Sequence, residues 1–325
     1  MKVLLIPRKQ IEGIVSMGEI MGAVEEAFRS KGLKKAQMPP KLYVNFPGGD
    51  FRSMPCYVPE LGLGCIKVVS VHPNNPAIYG LPSVIATIIL IDPESGRPLA
   101  VMDGTWITGM RTGAAGGIAA KYLARRGSRV VGMVGAGVQA RTQLMALNEV
   151  LNIEEVRVFA KTVEECERFR EDMTDLGLRI EVEERIEKAV ADCDVLVTTT
   201  PVTRPIVKDE WVSEGTHINA IGADAPGKEE LEPGILKRAK VVVDDLEQAC
   251  HSGEVNVPLS KGLIKREDIY GELGEIIVGK KVGRTSEKEI TVFDSTGLAI
   301  EDLAAAAVVY KRAKEANLGA EIDLL

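Results

Sequence analysis

Apolar residues at Met17, Ile20, Met21, Val24 and Phe28 follow a helical period, and Ser16 with Glu19 three positions on supplies a capping box in front of them. The segments KLYVNF (41–46), FRSMPCYV (51–58), GCIKVVSV (64–71), SVIATIILI (83–91) and PLAVMDG (98–104) read as extended chain punctuated by Gly and Pro. Together they predict a small mixed α/β domain with a largely antiparallel sheet. WITGMRTGAAGGIAAKYLARRG (106–127) predicts a helix from about Thr108 to near Gly127, whose many Gly and Ala residues point to a close packing surface.

From Ser128 the rhythm changes. Strand patterns in SRVVGMVG, EEVRVFA, RIEVEE, DVLVTTT, THINAIG, KVVVDD and ITVFDS alternate with helical ones such as VQARTQLMALNEVL, VEECERFREDMTDLG, IEKAVADC and ELEPGILKRA. Repeated βα alternation with apolar strands predicts a parallel sheet covered on both faces. The final helix, TGLAIEDLAAAAVVYKRAKEAN, is apolar at Leu298, Leu303, Ala307 and Tyr310 and is expected to pack back on the first domain, making that domain discontinuous.

A chain of 325 residues is long for one core, which agrees with two domains. Its 40 Lys plus Arg against 47 Asp plus Glu give a net charge of -7 without a basic block, so no nucleic-acid partner is expected. The five cysteines form no CxxC and are odd in number, which argues against a disulfide framework. Val3 to Ile6 is too short for a leader h-region before Pro7, Arg8 and Lys9, and VIATIILI (84–91) is too short to cross a bilayer. A cytoplasmic protein with no membrane partner is the expectation. His72, His217 and His251 lack ligand spacing, so no metal is expected; His217 reads as structural and Cys193 as a small buried hydrophobe. No GxSxG or Cys–His motif proposes a nucleophile.

VVGMVGAGVQA (130–140) carries Gly135-x-Gly137-x-x-Ala140 between an apolar strand and an amphipathic helix, the context that a dinucleotide fingerprint requires. Gly135 permits the tight turn, Gly137 the approach of a pyrophosphate, and Ala140 close helix–strand packing. The next strand ends in Ala160 and Lys161 rather than in an acid, so Lys161 and Thr162 leave NADP open beside NAD. TTTP (198–201) and Asp224 both follow strand ends and so belong to the rim where an open parallel sheet binds its ligand. The cofactor residues expected from these segments are Gly135, Gly137, Val138, Gln139, Ala140, Lys161, Thr199, Thr200 and Pro201, with NAD or NADP as the cofactor.

Three basic residues stand alone in apolar or small-residue strings: Arg52 in DFRSMP, Lys67 in GCIKVVS and Arg111 in TGMRTGAAGG. A cation in an apolar strand is disfavoured unless it is paired or serves a ligand. Two arginines suit a carboxylate, and a buried lysine has its pKa drawn toward the acid–base range. Each also has a plain structural reading: a hairpin face for Arg52, the solvent side of a strand for Lys67, an ordinary ion pair for Arg111.

RSMP (52–55), IKVVSVHPNNP (66–76), GLPSV (80–84), VMDGTWITGMRTGAAGGIAAKYLAR (101–125), GAGVQA (135–140), DVLVTTTP (194–201), HINAIGADAPGKEEL (217–231) and FDSTGLAIEDLA (293–304) resemble the ornithine cyclodeaminase/mu-crystallin family. AQMPPK (36–41) and DDLEQACHSGEVNV (244–257) strengthen a resemblance to its archaeal alanine dehydrogenase branch. The resemblance implies a homodimer and an α/β fold: a Rossmann-type parallel-sheet nucleotide domain over 116–300 and a second α/β dimerisation and substrate domain from 1–115 plus 301–325. It also implies that Arg52, Lys67 and Arg111 surround a substrate carboxylate, that Asp224 is a catalytic acid opposite them, that Asp294 lies near the nicotinamide, and that Thr112, Ala223, Asp294 and Ser295 join the cofactor-binding set. Lys67 and Asp224 are then the expected catalytic residues. The expected reaction is reversible oxidative deamination of L-alanine, a small amino-acid or keto-acid substrate. Ornithine cyclodeamination, ketimine or pyrroline-2-carboxylate reduction, and non-catalytic nucleotide binding of the mu-crystallin type are the alternatives.

Overall fold

The computed structural model describes residues 2–324. The chain divides into two units, residues 1–111 with 298–325 and residues 112–297. Each is described by itself.

The first unit is built on a sheet of seven strands. They are β1 (Lys2–Ile6), β2 (Leu42–Phe46), β3 (Gly49–Val58), β4 (Leu63–Val71), β5 (Val84–Ile91), β6 (Pro98–Asp103) and the C-terminal strand Ala320–Asp323, in the order C-terminal strand, β1, β6, β5, β4, β3, β2. β1 runs parallel to β6 and every other pairing is antiparallel. Val3 to Ile6 is therefore a strand, a role its apolar run did not announce. The helix Met17–Gly32 buries Met17, Ile20, Met21, Val24 and Phe28, and its capping box at Ser16 and Glu19 is formed. The helix Ala299–Glu315 packs against it and against β3, β4 and β5. Met54, Cys56, Cys65, Lys67, Val69, Ile88 and Leu90 are all buried, alternating along their strands with more exposed neighbours.

The second unit is a Rossmann-type α/β domain. Its sheet holds β7 (Val130–Val134), β8 (Glu155–Phe159), β9 (Arg179–Val182), β10 (Val195–Thr198), β12 (His217–Ala220), β14 (Lys240–Val243), β15 (Ile269–Glu272) and β16 (Thr291–Asp294). Their order is 15-14-16-12-10-7-8-9 and every pairing is parallel. β11 (Thr203–Val207) and β13 (Glu229–Leu231) form a separate parallel pair. The strand order reverses between β7 and β10, a topological switch point, and ligands of open α/β sheets bind outside the carboxyl ends of the strands at such points.

The helix expected from Thr108 to Gly127 runs instead from Gly104 to Leu123. The Asp103 carboxylate accepts from the Trp106 amide at 2.9 Å and starts the helix a turn early. Gly104 fits closely there: a Cβ would stand 3.0 Å from Ala86 of β5, tighter than most real contacts. Arg111 thus lies well inside the helix rather than near its start. Further along, a Cβ on Gly113 or Gly116 would collide with Thr142 or Gln143 of the helix Val138–Val150. The Gly-rich composition is the signature of that close approach.

Candidate active site

In the first unit, Lys67 projects from β4 beneath the helix Ala299–Glu315. Its Nζ lies 2.7 Å from Asp302 Oδ2 and 2.8 Å from Oδ1, and donates to Thr108 Oγ1 at 3.3 Å. Arg111 joins the same carboxylate, Nε to Oδ1 at 2.9 Å, and gives Nη1 to Glu301 Oε2 at 2.9 Å. All four charged groups are buried, so two cations face two carboxylates away from water. Burial pushes the Lys67 pKa down to about 8, helped by the Arg111 charge and opposed by Asp302.

Arg52 is buried on β3, paired with Asp50 at 2.8 Å and lying over the Tyr43 ring at 5.3 Å. The structure therefore unites Lys67 and Arg111 through Asp302 and gives Arg52 partners of its own. Glu301 and Asp302 escaped the sequence reading. Two adjacent acids in the first turn of a helix read as dipole partners, and the signal against that reading is their position in an otherwise apolar string, LAIEDLAAAA.

In the second unit, the glycine turn meets the requirements of a phosphate cradle. Gly135 has φ +107°, a conformation that favours glycine, and a Cβ there would collide with Thr199. Gly137 is the N-cap of the helix Val138–Val150, has open space where a Cβ would be, and no side chain caps the helix amides. An uncapped, open helix N-terminus after a buried strand suits a pyrophosphate. Val138 is exposed at the turn and Ala140 is fully buried against the sheet. The contact between Gly135 and Thr199 lies at the β7/β10 switch point, and the Thr199 amide continues the pairing by donating to Val134 O at 2.9 Å.

Other expected residues follow along the same rim. The Ser295 amide donates to Ala220 O at 3.1 Å, joining the ends of β16 and β12. Asp294 Oδ1 and Ser295 Oγ are buried with no hydrogen-bond partner among the described residues. Burial, opposed by the Glu254 amide and reinforced by neighbouring Asp244, pushes the Asp294 pKa up to about 8. Ala223 is buried; Asp224 beside it is partly exposed, with Lys228 Nζ 2.6 Å from its Oδ1. Lys161 is exposed past β8, and the Thr162 hydroxyl accepts from the Glu165 amide, capping the helix Val163–Asp172. The Thr112 carbonyl accepts from Gln143 Nε2 at 2.8 Å. Gln139 is half-buried beside the turn, and Pro201 is exposed at the end of TTTP.

His217 bridges Thr291 at 2.9 Å and Asn219 at 3.0 Å within the sheet, and burial pushes its pKa down to about 3. It is a neutral structural group. Cys193 is buried as well. Among the described residues no group of three or more His, Cys, Asp or Glu side chains is placed to hold a metal ion, and no helix is long and apolar enough to cross a membrane.

The family model for the ornithine cyclodeaminase/mu-crystallin family matches residues 2–317. The chain belongs to that family. It is 54% identical over 322 residues to the alanine dehydrogenase of Archaeoglobus fulgidus, covering 99% of this chain and 98% of that protein. A solved archaeal alanine dehydrogenase dimer with bound NAD superposes with a TM-score of 0.97 over the whole of both chains, at 54% identity. The Thermococcus litoralis Δ1-pyrroline-2-carboxylate reductase, solved with NADH and L-proline, superposes with a TM-score of 0.96 at 40% identity, over 98% of this chain and all of that one.

Proposed function

We propose that the protein is an NAD-dependent amino-acid dehydrogenase that interconverts L-alanine with pyruvate and ammonia. The observation that carries this reading is the 54% identity with an alanine dehydrogenase over 99% of the chain. The open glycine turn at the switch point supports NAD as cofactor, which when bound supplies the hydride acceptor.

The chain's own residues then have distinct tasks. Arg52, Lys67 and Arg111 hold the substrate carboxylate. Lys67 and Arg111 are themselves fixed by Asp302 and Glu301, which limits their rotamers and keeps the cations preorganised. Asp224, partly exposed and paired with Lys228, takes the proton from the substrate amine and later orients the attacking water. The first unit serves substrate binding and dimerisation, the second nucleotide binding. A homodimer is supported by the solvent-facing side of the first sheet, where Leu42, Val44, Phe46, Val68 and Ile85 are exposed.

Pyrroline-2-carboxylate reduction is the second reading, favoured by the 40% identity with the Thermococcus litoralis enzyme. A panel of L-alanine, pyruvate with ammonia, L-proline, pyrroline-2-carboxylate and L-ornithine, each with NAD(H) and NADP(H), tests both. Net NADH formation from alanine is the expected result. Ornithine consumed without net NADH, or turnover confined to the cyclic imine, replaces the reading. The two cofactors in parallel also measure preference, since β8 ends at Phe159 and is followed by Ala160 and Lys161, with no acid to reject a 2′-phosphate.

A further inference from the structure

Glu230 is fully buried, and its carboxylate lies where two loops of the nucleotide-domain rim converge. Oε1 accepts from the Thr200 amide at 2.7 Å and from the Thr200 hydroxyl at 2.6 Å, while Oε2 accepts from the Gly222 amide at 2.9 Å. Its own backbone is clasped in turn. The buried Glu254 carboxylate accepts from the Glu230 amide at 2.9 Å and the Leu231 amide at 2.7 Å. Asn256 accepts from the Gly227 amide and donates to the Lys228 carbonyl, both at 3.0 Å, which secures the far end of the loop. Gly222 has no room for a side chain, because a Cβ would lie 2.5 Å from Glu230 Oε2. Thr199, next to Thr200, abuts Gly135. One carboxylate therefore links the loop behind the glycine turn to the loop that carries Asp224.

We propose that Glu230 is a positioning residue: it fixes the Gly222–Asp224 loop to the Thr199–Pro201 loop and thereby sets where the Asp224 carboxylate stands, without itself touching substrate or nucleotide. The role of Asp224 rests on the proposed dehydrogenase function; the clasp itself does not. Glutamine at 230 preserves size but offers one acceptor oxygen. Thr200 brings two donors and Gly222 one, so the amide oxygen stays with Thr200 and the NH2 group confronts the Gly222 N–H. The loop of Asp224 is the one released.

The test compares full-length wild type, Glu230→Gln and Glu230→Ala by alanine-oxidation kinetics and by hydrogen exchange read on peptides over 198–201 and 219–225. In Glu230→Gln, kcat is expected to fall by about tenfold or more with KM for NAD within about twofold, since a small misplacement near the chemistry is enough to slow it. Exchange rises over 219–225 and not over 198–201. In Glu230→Ala both peptides exchange faster and KM for NAD rises as well. Unchanged exchange over 219–225 in the glutamine variant overturns the proposal, as does a parallel loss of kcat and NAD affinity there. If the alanine variant does not fold, Thr200→Val replaces it: faster exchange over 198–201 alone supports the clasp, and the reverse pattern overturns it. Absence of alanine turnover in the wild type defeats the dehydrogenase reading alone, and the exchange contrast still decides the clasp.

Discussion

Lys67 Nζ and Asp302 Oδ2 meet at 2.7 Å, and their side chains are 1% and 0% exposed. They are joined by Arg111 and Glu301 in a buried quartet of balanced charge. Removing one partner of such a set leaves a charge uncompensated in a low dielectric. Asp302→Asn keeps an acceptor oxygen but discards the charge that serves both cations, and should lower stability by about 3 kcal/mol. Calorimetry should then find the unfolding midpoint of the variant lower by about 5–10 °C. A midpoint equal to that of the wild type would mean that the quartet is not held as tightly as its distances indicate.

The Lys67 pKa, pushed down to about 8 by burial and by Arg111, gives a pH dependence whose sign follows directly. Lys67 carries its charge below that value and loses it above. Pyruvate has no amine to titrate, so its inhibition constant isolates the carboxylate clamp proposed for Arg52, Lys67 and Arg111. It should be flat below pH 8 and rise above, by up to about tenfold per unit where the charge is essential. In Lys67→Arg it should stay flat through pH 10, because a guanidinium keeps its proton. Stability responds in the opposite sense. Between the folded value of about 8 and the free lysine value of 10.5 the unfolded chain binds more protons, so Lys67 makes the fold more stable as pH rises through that window. An inhibition constant independent of pH from 7 to 10 in the wild type would remove the Lys67 charge from substrate binding.

Most of the parallel sheet was legible because its central strands β7, β10, β12, β14 and β16 are buried on both faces and read as short apolar runs, and because Gly135 and Gly137 sit between strand and helix in the context of a phosphate turn; β15 (Ile269–Glu272), a short IYGE segment at the sheet edge, went unread. The helix start at Gly104 was hidden because Gly, Thr and Trp are weak helix formers, and the capping by Asp103 and the space beside Ala86 are visible only in three dimensions. Glu301 and Asp302 were hidden for another reason. Their partners are 190 and more residues away, and nothing local distinguishes a carboxylate that pairs with a buried cation from one that complements a helix dipole. The isolated cations Lys67 and Arg111 were conspicuous; the acids that answer them were not. Glu230 and Glu254 were equally silent, since most glutamates in such strings face solvent.

Asp224 follows β12 at the rim and holds Lys228 at 2.6 Å while remaining partly open to solvent. Asparagine there keeps the shape and a hydrogen-bond acceptor but cannot take a proton. If the acid serves the amine and water steps, Asp224→Asn should lower kcat by about 10²–10⁴-fold. KM for NAD should change by no more than about twofold, because uniform cofactor binding is left intact. Stability should hardly change, since a partly exposed ion pair contributes little. Stopped-flow measurement of the first turnover separates this loss from slow product release. Full activity in the variant would transfer the proton steps to another group.

The outward side of the first sheet is unusual for a surface. Leu42, Val44 and Phe46 on the edge strand β2 are 65%, 44% and 45% exposed, and Val68 and Ile85 continue the apolar surface on β4 and β5. In the register of the sheet Val44 stands opposite Phe51, and the rings of Phe46 and Phe51 lie 5.6 Å apart, so these residues form one patch rather than scattered exposures. An edge strand carrying such a patch invites association unless a partner covers it. If this is the face that the proposed homodimer buries, charge placed on it opposes assembly without entering the core beneath. Val44→Glu with Val68→Lys should convert a dimer near 70 kDa, twice the 35.1 kDa chain, into a monomer by light scattering. Far-UV circular dichroism should be preserved, and NADH binding measured by fluorescence should remain within about threefold, because the substituted residues belong to the first unit and the glycine turn to the second. A variant that remains dimeric would shift the interface away from this face.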